Sequence, residues 1–106
     1  MADKTWKSRE RKIAVFFGCK RTPLSGGNSG HTRSDTLHPS LFVEQKHRKE
    51  HAVINLWRKT KELADKENKI PVVTLTEKGK HGFYIMCHSS DLVAVANQRI
   101  IAKRRE

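Results

Sequence analysis

The sequence predicts an α/β domain in which a central mixed β-sheet is flanked by helices. Residues 50–68 carry apolar side chains at helical spacing, and residues 70–76 form a β-branched, almost wholly apolar run that is typical of a central strand. The predicted order along the chain is helix, strands, helix, strand, strand, helix. A helix between two strands favours a parallel crossover, so this order indicates a mixed sheet with helices packed on it.

Length and charge narrow the functional classes. A chain of 106 residues is expected to fold as one domain, residues 1–106. Lys and Arg outnumber Asp and Glu by 22 to 11, and the resulting net charge of +11 is spread along the chain, which favours nucleic acid as the partner. No apolar run approaches the roughly 20 residues that span a bilayer. With no signal-peptide pattern, we expect a cytoplasmic protein without membrane contact.

The first helix is predicted at residues 5–17. Trp6, Ile13 and Phe17 lie on one apolar stripe, and Glu10 lies on the same stripe. A charge on an apolar stripe costs free energy unless it is paired or coordinates something. Glu10 is therefore expected either to form a salt bridge with Arg or Lys or to lean over a metal site.

The other elements follow from local patterns. In chain order they are a helix end at Gly18, an edge strand at 19–24, a buried strand at 41–43, the helix at 50–68, the strand at 70–76, a turn at 77–82, a strand at 83–86 and a last helix capped by Ser89 or Ser90. The apolar face of the helix at 50–68 is expected to pack on the sheet. Trp57 lies on that face, so a core or dimer contact is favoured over base stacking.

Residues 34–46 carry the strongest chemical signal. His38-Pro39-Ser40 marks a turn before the strand at 41–43, and alternation then places Glu44 and Lys46 on one face. Asp35 is expected on the preceding strand of a hairpin, beside them. Two carboxylates and an ammonium would then share one small space.

Such a cluster suits a divalent cation, since two neighbouring anions repel each other and a cation removes that cost. Mg²⁺ takes oxygen ligands from one or two carboxylates and leaves room for water and phosphate. A lysine beside it can orient the water or stabilise charge on a phosphate. The pattern favours metal-assisted phosphodiester hydrolysis; the simpler interpretation is a solvated strand end.

Asp35, eight intervening residues and Glu44-Gln45-Lys46 resemble the signature of the PD-(D/E)XK nuclease superfamily. The resemblance implies a restriction-endonuclease-like fold in which Asp35 and Glu44 bind Mg²⁺, or Mn²⁺ as a substitute, and the Gln45 carbonyl adds a ligand. It also implies that Lys46 serves the attacking water. Glu10 matches the glutamate that the first helix of archaeal Holliday-junction resolvases supplies to the metal centre.

Candidates for binding DNA phosphates lie on both sides of the motif and at the tip of the turn at 77–82, because they are basic or because they offer short hydrogen-bond donors in a Gly-Ser loop. They are Arg21, Ser25, Asn28, Ser29, His31, Arg33, His47, Arg48, Lys49, Lys78 and Lys80. The loop lacks the Gly-Lys-Ser/Thr ending of a Walker motif, so no nucleotide cofactor is expected.

The resemblance is closest to compact Holliday-junction resolvases of archaea and phages. It implies an Mg²⁺-dependent endonuclease acting on branched DNA as a homodimer, so that two sites cut two strands. Two alternatives stay open. One is a nicking, repair or homing nuclease on duplex or flap DNA, and the other is a non-catalytic basic module that binds DNA.

Overall fold

The computed structural model describes residues 5–23 and 34–106. The chain forms two compact units, Met1–Lys49 and Glu50–Glu106. In the described residues the first unit contains helix α1 and short extended segments. The second contains helix α2, a two-stranded sheet and helix α3. The protein is thus a small mixed helix and strand structure.

Helix α1 spans Thr5–Phe16, which confirms the first predicted helix. Ala14 is its most buried residue, at 1% exposure. The helix ends at Gly18, whose φ of 71° suits a residue without a side chain. The Gly18 N–H donates to the Val15 carbonyl at 2.9 Å, and the Cys19 N–H donates to the Ala14 carbonyl at 2.9 Å. These two bonds form a Schellman motif, so the predicted helix end is confirmed.

After α1 the chain runs beside residues 34–36. Arg21 and Thr36 form an isolated antiparallel bridge, and the Thr22 N–H donates to the Asp35 carbonyl at 3.0 Å. In the described residues, the edge strand expected at 19–24 is therefore reduced to a single bridge. Residue 24 lies outside the described part of the chain.

The buried strand expected at residues 41–43 is not formed. No regular strand is present there, and Leu41 and Phe42 are exposed. The chain nevertheless turns back on itself after Asp35, as the sequence predicted, and the Asp35 N–H donates to the Val43 carbonyl at 2.6 Å. The hairpin-like return is confirmed, whereas its regular pairing is not.

Ser34 explains why this return is irregular. Its side chain accepts the N–H groups of Val43 at 2.6 Å and of Thr36 at 3.3 Å, and it donates to the Val43 carbonyl at 3.0 Å. The Thr22 hydroxyl donates to the Ser34 carbonyl at 2.7 Å. A side-chain hydroxyl here takes the place of backbone ladder bonds, which is how serine competes with regular secondary structure.

Helix α2 spans Ala52–Lys66, within the helix predicted at 50–68. Its apolar face is only partly covered: Trp57 and Ala64 are half-buried, while Leu56 and Leu63 are exposed. The expectation that this whole face packs on a sheet is wrong. The sheet that α2 contacts is too short to cover four helical turns.

The sheet consists of strands β1, Val73–Leu75, and β2, Tyr84–Met86. They pair antiparallel, with Val73 opposite Met86 and Leu75 opposite Tyr84. Both strands lie within predicted ones, and the turn between them was also predicted. A central mixed sheet with a parallel crossover is not present among residues 5–23 and 34–106, because the first of its strands did not form.

Helix α3 spans Leu92–Arg104 and follows a 3-10 turn at Ser89–Asp91. The expected serine cap is wrong. The His88 side chain instead accepts the Ser90 N–H at 3.1 Å, because the chain enters through the 3-10 turn rather than directly into the helix. Of the helices in the described part of the chain, none has the length and apolar character needed to cross a membrane.

Candidate active site

A pocket of about 400 Å³ lies in the first unit, between the end of the hairpin-like return and the start of α1. Its lining residues are Trp6, Glu10, Asp35, Gln45, Lys46, His47 and Arg48. Trp6 and Glu10 are four residues apart on α1 and therefore share one helix face. Of the four residues predicted to be catalytic, three (Glu10, Asp35 and Lys46) meet in this pocket.

Glu10 is buried, at 4% exposure, and its Oε1 accepts a hydrogen bond from Arg21 Nε at 3.3 Å. The Arg21 guanidinium also lies 5.9 Å from the centroid of the Trp6 ring, within cation–π range. The salt bridge that the sequence left open for Glu10 is thus formed. Arg21 was expected on DNA phosphates, but its charge is engaged with Glu10.

Asp35 is buried at 8% exposure, and its Oδ2 accepts the backbone N–H of Gln45. This bond fixes the carboxylate on the side of the chain that continues to Lys46. Because the Asp35 backbone is also held on both sides, by Thr22 and by Val43, the side chain has little freedom to move. These hydrogen bonds therefore fix the position of the Asp35 carboxylate.

The electrostatics of the pocket appear in the protonation of Glu10. Burial raises the pKa of Glu10 above its ordinary value of 4.5, and the negative charges of Asp35 and, less strongly, Glu44 act in the same direction. Arg21 lowers the pKa of Glu10 but does not offset the rise. The buried Glu10 carboxylate therefore takes up a proton more readily than an exposed glutamate does.

Glu44 lies outside the pocket. Its Oε2 is 3.0 Å from Lys46 Nζ, which confirms that the two side chains share a face. Both are about half exposed or more, and Glu44 does not line the pocket. Within residues 5–23 and 34–106, no three His, Cys, Asp or Glu side chains are grouped closely enough to hold a metal ion. The expected three-carboxylate cluster does not form, because Glu44 turns to Lys46 in solvent.

Apart from Arg21, the predicted DNA-binding residues fall into three groups. His47 and Arg48 line the pocket, and Lys49 is exposed at the end of the first unit. Lys78 and Lys80 are exposed on the turn between β1 and β2, in the second unit. The predicted residues of the Gly-Ser loop lie outside the described part of the chain: Ser25, Asn28, Ser29, His31 and Arg33.

Sequence reasoning missed two contributors to the site. Arg21 was assigned to DNA, although a cation was anticipated for Glu10, because eleven residues separate the two and no periodic pattern links them. Trp6 was placed on the apolar stripe with Glu10, but it was not named as a site residue. Its spacing of four from Glu10 on a helix was the signal that both face the same space.

No protein-family model, no curated protein and no solved structure matches this chain. The resemblance to PD-(D/E)XK nucleases remains a prediction based on Asp35, Glu44, Gln45 and Lys46. Function is therefore inferred from the chemistry of the pocket.

Proposed function

We propose that the protein is a metal-dependent endodeoxyribonuclease that hydrolyses phosphodiester bonds in the pocket of the first unit. One observation carries the proposal. Two buried carboxylates, Glu10 and Asp35, line the same pocket as three side chains that suit a phosphate, namely Lys46, His47 and Arg48. Anionic and cationic groups around one space match a bound cation beside a phosphate.

The donor set fits Mg²⁺ in part. Glu10 and Asp35 supply hard oxygen ligands, and Mg²⁺ needs only one or two carboxylates when water and phosphate oxygens fill the other positions. The resemblance also implies Glu44 and the Gln45 carbonyl as ligands; Gln45 lines the pocket, whereas Glu44 lies outside it and pairs with Lys46. When bound, Mg²⁺ supplies Lewis acidity and a water molecule that loses its proton more readily.

The chain's own residues provide binding and orientation. Arg48 and His47 hold phosphate oxygens at the pocket mouth, which fixes the backbone of the DNA in one register. Lys46 lies beside them and stabilises the charge that develops on the phosphate. Glu44 holds the Lys46 ammonium through its ion pair, and Asp35 keeps Gln45 in place through the backbone N–H.

The proposal also includes a specific fold, a specific DNA substrate and a homodimer. The fold would be a restriction-endonuclease-like one, with residues 20–22, 34–36 and 43–45 as reduced counterparts of its strands. The substrate would be branched DNA, above all a Holliday junction, and the protein would act as a homodimer. The hydrogen bonds that join the three segments support the first of these, since they keep Asp35 beside Gln45 and Lys46.

The test is cleavage of a labelled four-way junction, a flap and a linear duplex, with Mg²⁺ and with EDTA. Asp35→Asn keeps an oxygen that accepts the Gln45 N–H but loses the charge, so we expect cleavage to fall at least roughly 100-fold. Glu77→Gln is the matched control, because it changes net charge equally at an exposed site. Cleavage in EDTA, or equal cleavage by Asp35→Asn and the parent, would contradict the proposal.

A second candidate is the non-catalytic DNA-binding module. It is favoured by the pairing of every carboxylate in the region with a protein donor: Glu10 with Arg21, Asp35 with Gln45 and Glu44 with Lys46. DNA binding without Mg²⁺-dependent cleavage of any of the three substrates would decide for it. Salt dependence does not separate the two, because both bind phosphates.

A further inference from the structure

A second pocket, of about 370 Å³, lies entirely within the second unit. It is bounded by the later turns of α2, by residues 69–71 and by the 3-10 turn before α3. None of its lining residues belongs to the pocket around Glu10. Its volume is at the small end of ligand pockets in proteins, which suits a ligand the size of one flat ring system.

One wall of this pocket is aromatic and fixed. The rings of Trp57 and His88 have centroids 5.6 Å apart and planes inclined by 30°. His88 Nδ1 accepts the Ser90 N–H at 3.1 Å and lies 2.7 Å from the Ser90 hydroxyl, so the ring is held in one orientation. With Nδ1 as the acceptor, neutral His88 carries its proton on Nε2. A fixed aromatic wall favours a planar ligand.

The charged side chains of the pocket indicate which kind of planar ligand it can bind. Both lysines of the pocket are neutralised locally, Lys61 by Asp65 at 2.7 Å and Lys69 by Glu67 at 3.1 Å. The Asp91 carboxylate lines the pocket, is half-buried and has no ion pair or hydrogen bond to its side chain among the described residues. The pocket therefore offers a carboxylate acceptor, and it does not favour a phosphate or another anion.

We propose that this pocket binds a nucleobase. A base offers a flat π-face for the wall formed by Trp57 and His88, and amino or imino donors for Asp91. Guanine presents both together, with two neighbouring N–H groups that match a carboxylate. The site is distinct from the proposed hydrolytic one and does not depend on catalysis. The base comes from a free nucleotide or from an unpaired position in a nucleic acid strand.

The experiment uses the full chain and follows the two tryptophan indole N–H signals by nuclear magnetic resonance, with Trp57→Phe to assign them. GMP, AMP and UMP, ribose 5-phosphate and a single-stranded pentanucleotide containing one guanine are titrated to about 10 mM, roughly tenfold above the affinity expected of so small a ligand. We expect GMP to shift the Trp57 signal and ribose 5-phosphate to leave it unchanged.

Asp91→Asn separates recognition from folding. Asp91 makes no capping bond to α3, so the variant should fold normally. We expect it to weaken GMP binding about tenfold, since the lost bond involves a charged acceptor. Glu62→Gln, an exposed change on α2 outside the pocket, is the control and should leave binding unaltered.

Each outcome is decisive. Tighter binding of the pentanucleotide than of GMP identifies a strand as the source of the base, and equal binding identifies a free nucleotide. No shift with any base, an equal shift with ribose 5-phosphate, or full affinity in Asp91→Asn overturns the proposal. Asp35→Asn should bind GMP like the parent, so a failed cleavage test leaves this result independent.

Discussion

Replacing Ser34 by alanine should destabilise the first unit more than any other single loss of a hydroxyl group described above. The side chain is 2% exposed and accepts the N–H groups of Val43 and Thr36. Alanine would leave both donors without this acceptor. An unsatisfied buried donor costs about 1 to 3 kcal/mol, and the longer bond to Thr36 and the partial exposure of Val43 reduce the sum. We expect a loss of about 3 kcal/mol.

The assay is chemical denaturation combined with amide hydrogen exchange. A loss of this size is a large part of the stability of a small domain, so the denaturant midpoint should fall clearly. Exchange should accelerate first at the amides of Thr36 and Val43, because their bonds are the ones removed. Exchange in β1 and β2 should change less, as these strands belong to the other unit.

Ser40→Ala is the matched control. Ser40 is exposed, and its hydrogen bond to His38 uses the backbone N–H, which alanine retains. It should change stability by less than about 0.5 kcal/mol. If Ser34→Ala and Ser40→Ala gave the same midpoint and the same exchange at Val43, the account of the irregular return would be refuted.

Three further outcomes are expected. Gly18→Ala should cost about 1 kcal/mol in thermal or chemical denaturation, from its positive φ alone. Among the described residues, no atom beyond its chain neighbours lies within 4 Å of the added carbon, and an unchanged midpoint would contradict this. Arg21→Ala should lower stability at pH 7 by about 2 kcal/mol, because it leaves the buried Glu10 charge unpaired, whereas the double variant with Glu10→Gln should recover part of that loss. Because the pKa of Glu10 is raised by folding, its stabilising contribution is present below pH 4.5 and is lost as pH rises through the higher folded value. Glu10→Gln should therefore gain stability relative to the parent between pH 4 and 8, and a constant difference would refute the assignment.

Much of the helical structure was predictable from periodicity. The stripe through Trp6 and Glu10 located α1, and Gly18 located its end, because each signal acts within a single turn of helix. The β-branched run before Leu75 located β1 for a similar reason. The sequence was enough to predict an element wherever its hydrogen bonds and its apolar face involve only residues that are close along the chain.

The rest depended on contacts that leave no periodic trace. Leu41 and Phe42 look like a buried strand, yet a single hydroxyl from Ser34 sets the local backbone and leaves both side chains in solvent. The partner of Glu10 is likewise invisible in sequence, since Arg21 reaches it only after the chain has turned at Gly18. Asp35 was predicted near Lys46 correctly because both flank one turn. Alternation also placed Glu44 beside Lys46 correctly, but it could not show that Lys46 lines the pocket whereas Glu44 does not.

Ala14 affects the chemistry of the first unit without an ionisable group of its own. It lies one helical turn beyond Glu10, on the same inward side, with almost no surface left to solvent. Its carbonyl accepts hydrogen bonds from the backbone N–H and from the thiol of Cys19. These bonds set the direction in which the chain leaves α1, and two residues later Arg21 reaches Glu10. The end of the helix thus helps to hold a cation beside the buried acid.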